Sequence, residues 1–400
     1  MPPPPAARTW TRFTSGAVSE PPSLARVKSG ALHLAWREGS HLLHTTIAVD
    51  GKPGVQTTAA GSSQSAPWLV AHPDGCVLQV TYFDQGSLQV GPSGDSGASW
   101  TATPYPGAQP GAIIAVTPDK GGKPVMISAD KGQIKLHGAT APEKVQESPC
   151  CVNRLALALD PESAEGWAAW HEISPKAAGL FAKAIKPLAG MAQLAPGSSP
   201  LQPTQRLALA ARIGVPGVYL AYLAGPPSVR EVKLWNVRGG EALTVAKAPG
   251  ARLVWLAPAP DGRLWILWMN PNGTVSTVRG SKALTRFSRP YTLTGPAPAP
   301  GAPSFLTADG GAGPLDVLVG AFHLRLYPNL EVSTSPRGVL VSDLGEPVEG
   351  VEVEIEGKKN KTDIKGLAAH PISAGTPPPP VKATHPGYAP ATMLAVAGPR

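Results

Sequence analysis

Short apolar runs alternate with turn residues along most of the chain. Runs such as "LARV" (24–27), "WLVA" (68–71) and "IIAV" (113–116) are bounded by Gly, Pro, Asp or Ser. That is how strands between turns read. Long stretches with helical periodicity are nearly absent. The pattern also recurs. "RLALA" stands at 154–158 and again at 206–210, and "RLVWLA" follows at 252–257. After each comes a turn and a second apolar run: "GWAAWHE" (166–172), "GVYLAYL" (217–223) and "RLWILWM" (263–269). Similar couplets occupy 23–38, 67–84, 111–128 and 303–321. About seven copies at a period of about 40–50 residues, each a pair of apolar strands followed by a more polar pair, predict a β-propeller. Six blades result if one copy is miscounted. The first strand of each copy is almost wholly apolar, as an innermost strand buried on both faces should be. The opening "RTWTRFT" (8–14) is placed to complete the last blade and close the ring, which removes the open edge.

The repeats end near Pro336, and a different pattern follows. In "VEVEIE" (351–356), Val351, Val353 and Ile355 alternate with Glu352, Glu354 and Glu356, a half-buried strand. Turn signals at "DLGEP" and "TDIKG" and further strands to 397 complete a small β-sandwich. The expected fold is all-β: a propeller over 1–335 and a sandwich over 336–400. The second part resembles the carboxypeptidase regulatory-like domain, a transthyretin-like sandwich. The matching residues are Gly338, Val341, Asp343, Gly345, Pro347, Val348, Gly350, Val351, Val353, Ile355 and Gly357, then Thr362, Asp363 and Gly366, then "HPGYAP" at 385–390. The resemblance implies a non-catalytic accessory module common on exported proteins.

One loop stands out chemically. "SGDSGASW" (93–100) follows the strand "SLQVGP" and carries Ser93, Asp95, Gly97 and Trp100. Asp95 can accept backbone N–H groups of its own turn, Gly97 can take a positive φ, and Trp100 can pack between sheets. A calcium loop of the EF-hand type would need further carboxylates after Asp95, which are missing. The loop is therefore a structural hairpin turn, and it resembles the Asp-box (BNR repeat) of sialidases and other bacterial propellers. That resemblance implies a position on the propeller face away from any active site.

Composition narrows the function. The net charge is +8 and the pI about 9.4, but Lys and Arg are dispersed. Nucleic-acid binding wants a concentrated basic stripe with aromatics, so it is not expected. No apolar run reaches the length of about 18 residues that a spanning helix needs, so no membrane span is expected. The start "MPPPPAARTW" lacks the apolar core of a signal peptide. It fits a tether left where such a signal has been removed, and the expected location is extracellular, periplasmic or at the cell surface. The three cysteines, Cys76, Cys150 and Cys151, form no CxxC pair, so no metal site is expected. A Cys76 bridge to Cys150 or Cys151, a bridge between the adjacent pair and three free thiols all remain open. No cofactor motif of the Walker, Rossmann or GxSxG kind is present.

Strand direction then points to a site. Arg154, Arg206 and Arg252 each open the first strand of consecutive copies, so they should ring one mouth of the central channel. Second strands end on that face, bringing Glu38, His171, Glu172 and Tyr82. Guanidinium groups suit an anionic ligand such as a carboxylate sugar. The expected function is a non-catalytic binding or scaffold protein that presents one propeller face to a glycan or protein partner. The alternative is a sialidase-like glycosidase. Sialidases, which this chain resembles in part, use three arginines and a Tyr–Glu nucleophile pair. That pair cannot be assigned here, and the family's early "FRIP" segment is missing, with only Arg26 near its place.

Overall fold

The repeated couplets become paired strands. The computed structural model describes residues 9–105, 108–109, 112–137, 142–147, 151–173, 178–198, 206–295, 305–370 and 379–393. Among these residues, seven four-stranded antiparallel sheets follow one another in the chain. Their innermost strands are Ser23–Arg26, Trp68–Ala71, Ile113–Pro118, Val152–Leu159, Ala208–Ala211, Leu253–Pro258 and Leu306–Asp309. Each is hydrogen-bonded on one side only, to the second strand of its own sheet. Each also touches the innermost strands of the two neighbouring sheets, and the seventh touches the first. The sheets therefore stand round a central channel as propeller blades.

The core is divided in the same way. Seven separate apolar clusters fill the gaps between neighbouring sheets, including the gap between the seventh and the first. Because every sheet packs on two faces, its central strands are apolar at successive positions. Gly166–Glu172 and Leu264–Met269 are buried throughout. This is why the couplets read as continuous apolar runs and not as alternating ones.

Ring closure falls to the N-terminus, as the sequence pattern predicts. Thr11–Arg12 pairs antiparallel with Phe322–Leu326, the third strand of the seventh sheet. Phe13 then packs edge-to-face on the fully buried Trp36, with ring centroids 5.2 Å apart. An ionic knot adds to the same seam. Asp316 of the seventh sheet accepts His323 Nε2 at 2.7 Å, Arg325 Nε at 2.8 Å and Arg26 Nη2 of the first sheet at 2.5 Å. Burial opposes ionisation of Asp316. The hydrogen bonds from His323 and Arg325 and the charges of Arg26 and Arg325 outweigh it, and its carboxyl is held below the usual range.

Beyond the propeller, two further four-stranded sheets form the C-terminal unit around Val339, Val341, Val351, Val353, Ile355 and Val381. The alternation in 351–356 is realised: Val353 and Ile355 are buried, and Glu352 and Glu354 are half-buried. The expected boundary at 335/336 falls inside a hairpin. Glu331–Ser335 pairs with Gly338–Asp343, so the second unit begins before residue 331. The short polar strand resembled a blade's outer strand, and pairing with its successor decides its membership.

The unit docks on the sixth blade through buried charges. Asp343 accepts Arg279 Nη1 and, at 2.9 Å, the Tyr388 hydroxyl. Arg263 Nη2 reaches Glu346 at 2.6 Å. Burial and the neighbouring Asp343 charge push the Tyr388 phenol up to about 12. Arg263 precedes the second strand of its sheet and Arg279 ends the third. Both positions lie on the face opposite the one where first strands begin.

Candidate functional site

The channel encloses a cavity of about 800 Å³ lined by all seven innermost strands. Its walls are mainly apolar, with alanines such as Ala25, Ala156, Ala208 and Ala308 beside larger residues such as Leu69 and Trp255. Six cationic residues line it, Arg26, Lys28, Lys120, Lys186, Arg206 and Arg212, against three anionic ones, Asp119, Asp160 and Asp309. Each carboxylate is already engaged. Asp119 accepts the backbone N–H of Gly121 and Lys123, at 2.9 and 2.8 Å. Asp160 accepts those of Glu162 and Gly217, at 2.9 and 2.7 Å. Asp309 is ion-paired to Arg26. The field in the channel is net positive.

Arg206 is placed where the sequence argument put it, at the mouth where first strands begin. It precedes the innermost strand of the fifth sheet, yet its guanidinium stacks on Trp68 of the second sheet, 3.8 Å from the ring centroid. It also donates to the carbonyl of Pro67. The side chain thus reaches across the ring. Burial lowers its pKa to about 9, with the charge of Glu20 acting the other way. Among the described residues it makes no ion pair within 4.0 Å.

The other expected residues take different places. Arg154 is half-buried, donates to the Asn153 carbonyl at 2.6 Å, and has its pKa lowered by burial against the pull of Glu20. Arg252, one residue before its strand, is exposed and does not line the channel. Tyr82 is 3% exposed and packs between the first and second sheets, so it does not reach the mouth. Its place in an alternating strand points it into the gap between blades. His171 is fully buried and hydrogen-bonded to Asn153 Oδ1 at 2.7 Å, and Glu172 is buried beside it. Glu38 accepts Thr14 Oγ1 at 2.6 Å and so fastens the N-terminal segment to the first sheet.

Three residues at this mouth were not expected: Glu20, Arg37 and Trp68. Arg37 Nη2 meets Glu20 Oε1 at 3.4 Å. Glu20 lies in a loop, "VSEPPS", with no periodicity to mark it. Arg37 sits one residue before Glu38 in a strand end that the sequence argument had already placed on this face.

The Asp-box-like turn lies on the opposite face, between the third and fourth strands of the second sheet. Asp95 Oδ1 accepts Ser99 N at 2.9 Å and Ser93 Oγ at 2.8 Å, and Trp100 Nε1 donates to the Gly97 carbonyl at 3.0 Å. The hydroxyl and backbone donors of Ser99, then that of Ser93, lower the Asp95 pKa to about 2. Gly97 has φ +89°, and a Cβ there would lie 2.2 Å from His44 Cε1. Of the cysteine arrangements left open by the sequence, the bridge to Cys76 is not formed. Cys76 is a free, exposed thiol, Cys151 is disulfide-bonded, and Cys150 lies outside the described residues. The loop carrying Cys76 is turned to solvent. Among the described residues no cluster of three or more His, Cys, Asp or Glu is arranged for a metal.

No family model and no curated protein matches this sequence. Solved structures do resemble the fold. A chain in the crystal structure of the mitotic checkpoint complex aligns with TM-score 0.50 at 12% identity, covering 82% of this chain and 96% of its own. The SapL1 lectin in complex with alpha methyl fucoside aligns at 0.47 and 12%, covering 73% and 99%. AofleA from Arthrobotrys oligospora aligns at 0.47 and 9%, covering 73% and 93%. At such identities the first of these likenesses speaks for the fold alone. No helix among the described residues is long and apolar enough to cross a membrane.

Proposed function

We propose that this chain is an exported, non-catalytic binding protein that captures an anionic ligand, on a glycan or a protein partner, at the channel mouth where first strands begin. The observation that carries this reading is Arg206. It is a guanidinium stacked on Trp68 at the rim of a cavity of about 800 Å³, with no ion pair among the described residues. A cation held in low dielectric attracts an anion more strongly than one in open solvent, and Arg can add bidentate geometry. The C-terminal unit docks on the other face, through Arg263 and Arg279, and the Asp-box-like turn lies there too. We assign the turn to the Asp-box class on the Ser93–Asp95–Trp100 bonding, and the C-terminal unit to the carboxypeptidase regulatory-like class on its sequence pattern and two-sheet core. A disulfide-bonded Cys151 suits an oxidising, exported setting.

Hydrolysis has less support. The three carboxylates lining the channel are committed to turns or to Arg26, and Tyr82 is in the core. A retaining glycosidase needs a nucleophile and an acid flanking the substrate. A glycan array that includes sialylated, uronic-acid and sulfated sugars tests the reading, with the Arg206→Gln protein beside the wild type. Binding of acidic members, lost in the variant, supports it. Equal binding by both proteins, or preference for neutral sugars, overturns it. Release of free sugar from a fluorogenic sialoside would replace it with the glycosidase.

A further inference from the structure

Among the described residues, the outer edge of the fourth sheet is unlike that of the other six. Its last strand, Leu188–Leu194, is hydrogen-bonded on one side only, to Gly179–Lys186. It is seven residues long and uncharged, and no charged side chain occurs anywhere from 187 to 205. The other blades blunt this edge by shortness, charge or proline. The outer strands of the second, sixth and seventh are only Thr103–Pro104, Tyr291–Leu293 and Thr11–Arg12. Those of the third and fifth, Glu143–Glu147 and Leu243–Lys247, carry charge. That of the first, Thr57–Ala60, is short and has no large apolar group.

Apolar side chains concentrate on that one edge. Leu188, Met191 and Leu194 are 38%, 87% and 54% exposed. The strand also bulges. Ala189 pairs with Ala184 and Gln193 with Ala182, so Gly190, Met191 and Ala192 stand against Lys183 alone. Gly190 takes φ +69°, as glycine in a bulge can. Met191, in the middle, is the most exposed large apolar side chain among the described residues. The bulge interrupts the row of free backbone groups, so this edge offers side chains more than a ladder to continue. Read backwards about Met191, the strand nearly matches itself. Leu188 answers Leu194, Gly190 answers Ala192, and only Ala189 against Gln193 is uneven.

We propose that a second copy of this chain covers this edge, the two outer strands lying antiparallel about a two-fold axis at Met191. A two-fold contact sets each residue against its mirror position, and here large groups meet large and small meet small, as cross-strand pairs favour. Charge points the same way. Each copy carries a net +8, so two copies repel over most of their surface and meet at least cost where neither is charged. The contact is small, so the dimer dissociates in the micromolar range. It joins two channels, and hence two candidate ligand mouths, in one assembly.

Sedimentation velocity of the full chain tests this. From about 1 to about 200 µM the wild type should pass from monomer to dimer. Met191→Asp sets a charge against its own copy on the axis and should weaken the dimer at least about tenfold. Met191→Leu keeps size and apolarity and should stay within about threefold. Met191 is 87% exposed, so neither change should move the melting temperature. Cross-linking then locates the contact, in a Cys76→Ser background that removes the free exposed thiol. Under air and copper phenanthroline, Met191→Cys should give a covalent dimer, and Val55→Cys, 86% exposed on the first blade, should not. A wild type that stays monomeric to the highest concentration overturns the proposal and leaves the edge to a strand of another protein. A dimer that Met191→Asp does not weaken, or that Met191→Cys does not cross-link, has its contact elsewhere and overturns it as well.

Discussion

Acidification should unfasten the Asp-box-like turn from the first blade, through His44. Thr57 Oγ1 donates to the Gly97 carbonyl at 2.7 Å, so its oxygen is left to accept from His44 Nδ1 at 3.3 Å. His44 Nε2 must then accept from His33 Nδ1, 3.1 Å away. Both imidazoles are neutral in this directed chain. Burial first, then the neighbouring His33, lowers the His44 pKa from 6.5 to about 4, against the Gly97 carbonyl. Burial lowers that of His33 too. The groups facing His44 are His33, Thr57, Gly97 and Trp100, whose ring centroid is 5.3 Å away. None carries a negative charge that would welcome a proton. A histidine with a lowered folded-state pKa contributes nothing to pH dependence above 6.5. Below that the unfolded chain binds the proton first, and stability falls until the folded state titrates near 4. At about 1.4 kcal/mol for each tenfold change in proton affinity, that window is worth about 3 kcal/mol. Asp316 loses its own contribution on acidification, so the wild-type curve alone does not isolate His44. Urea unfolding of wild type and His44→Gln at pH 7.5, 5.5 and 4 does. The variant should be less stable at pH 7.5, and the gap should close by about 3 kcal/mol towards pH 4. Parallel curves across that range refute the reasoning, as would a His44 proton resonance that titrates near 6.5.

Other consequences follow from the same packing. Gly97→Ala puts a methyl group against His44 at positive φ and should cost about 2 kcal/mol or more in chemical unfolding. Asp343→Ala leaves Arg279 and Arg263 buried with one carboxylate fewer. It should cost about 3–5 kcal/mol and open the chain near 327–331 to protease, and an unchanged digest would show that the dock does not depend on it. Removing residues 1–16 strips the closing strand from Phe322–Leu326 and exposes that edge. The shortened chain should melt lower and self-associate on size-exclusion chromatography, because an unpaired edge templates pairing.

The propeller was legible because its physics repeats. An innermost strand that packs on both faces must be apolar, and copies such as "RLALA" print that need several times over. The closing strand could be found by the same logic, since a ring leaves an edge unless some distant segment fills it. What failed was whatever depends on one side chain's exit angle. Arg154, Arg206 and Arg252 open strands in the same way, yet Arg206 crosses to Trp68 while Arg252 is exposed and does not line the channel. Tyr82 ends an apolar run exactly as a mouth residue would, but an even number of positions separates it from Val80 and Leu78, and all three face one gap between blades. Glu20 had no pattern to announce it. Its partner, Arg37, lies 17 residues on near the end of a strand, where no local periodicity pairs the two.

The two faces of the ring divide the labour between structure and recognition. On the face where first strands end, several charges are matched and buried: Arg26 with Asp309 and Asp316, Arg279 with Asp343, Arg263 with Glu346, while Arg212 rests on the carbonyls of Gly262 and Lys282. Breaking such a pair leaves a charge stranded, so these contacts resist exchange. On the face where first strands begin, the balance differs. Arg206 rests on an aromatic ring and a carbonyl, Arg154 on a carbonyl, and Arg37 meets Glu20 at 3.4 Å. A cation satisfied by neutral partners keeps its charge available to an incoming anion. What Arg206 has and Arg212 lacks is an aromatic face beneath it, and the proposed anion site rests on that stack on Trp68 at the rim of the channel.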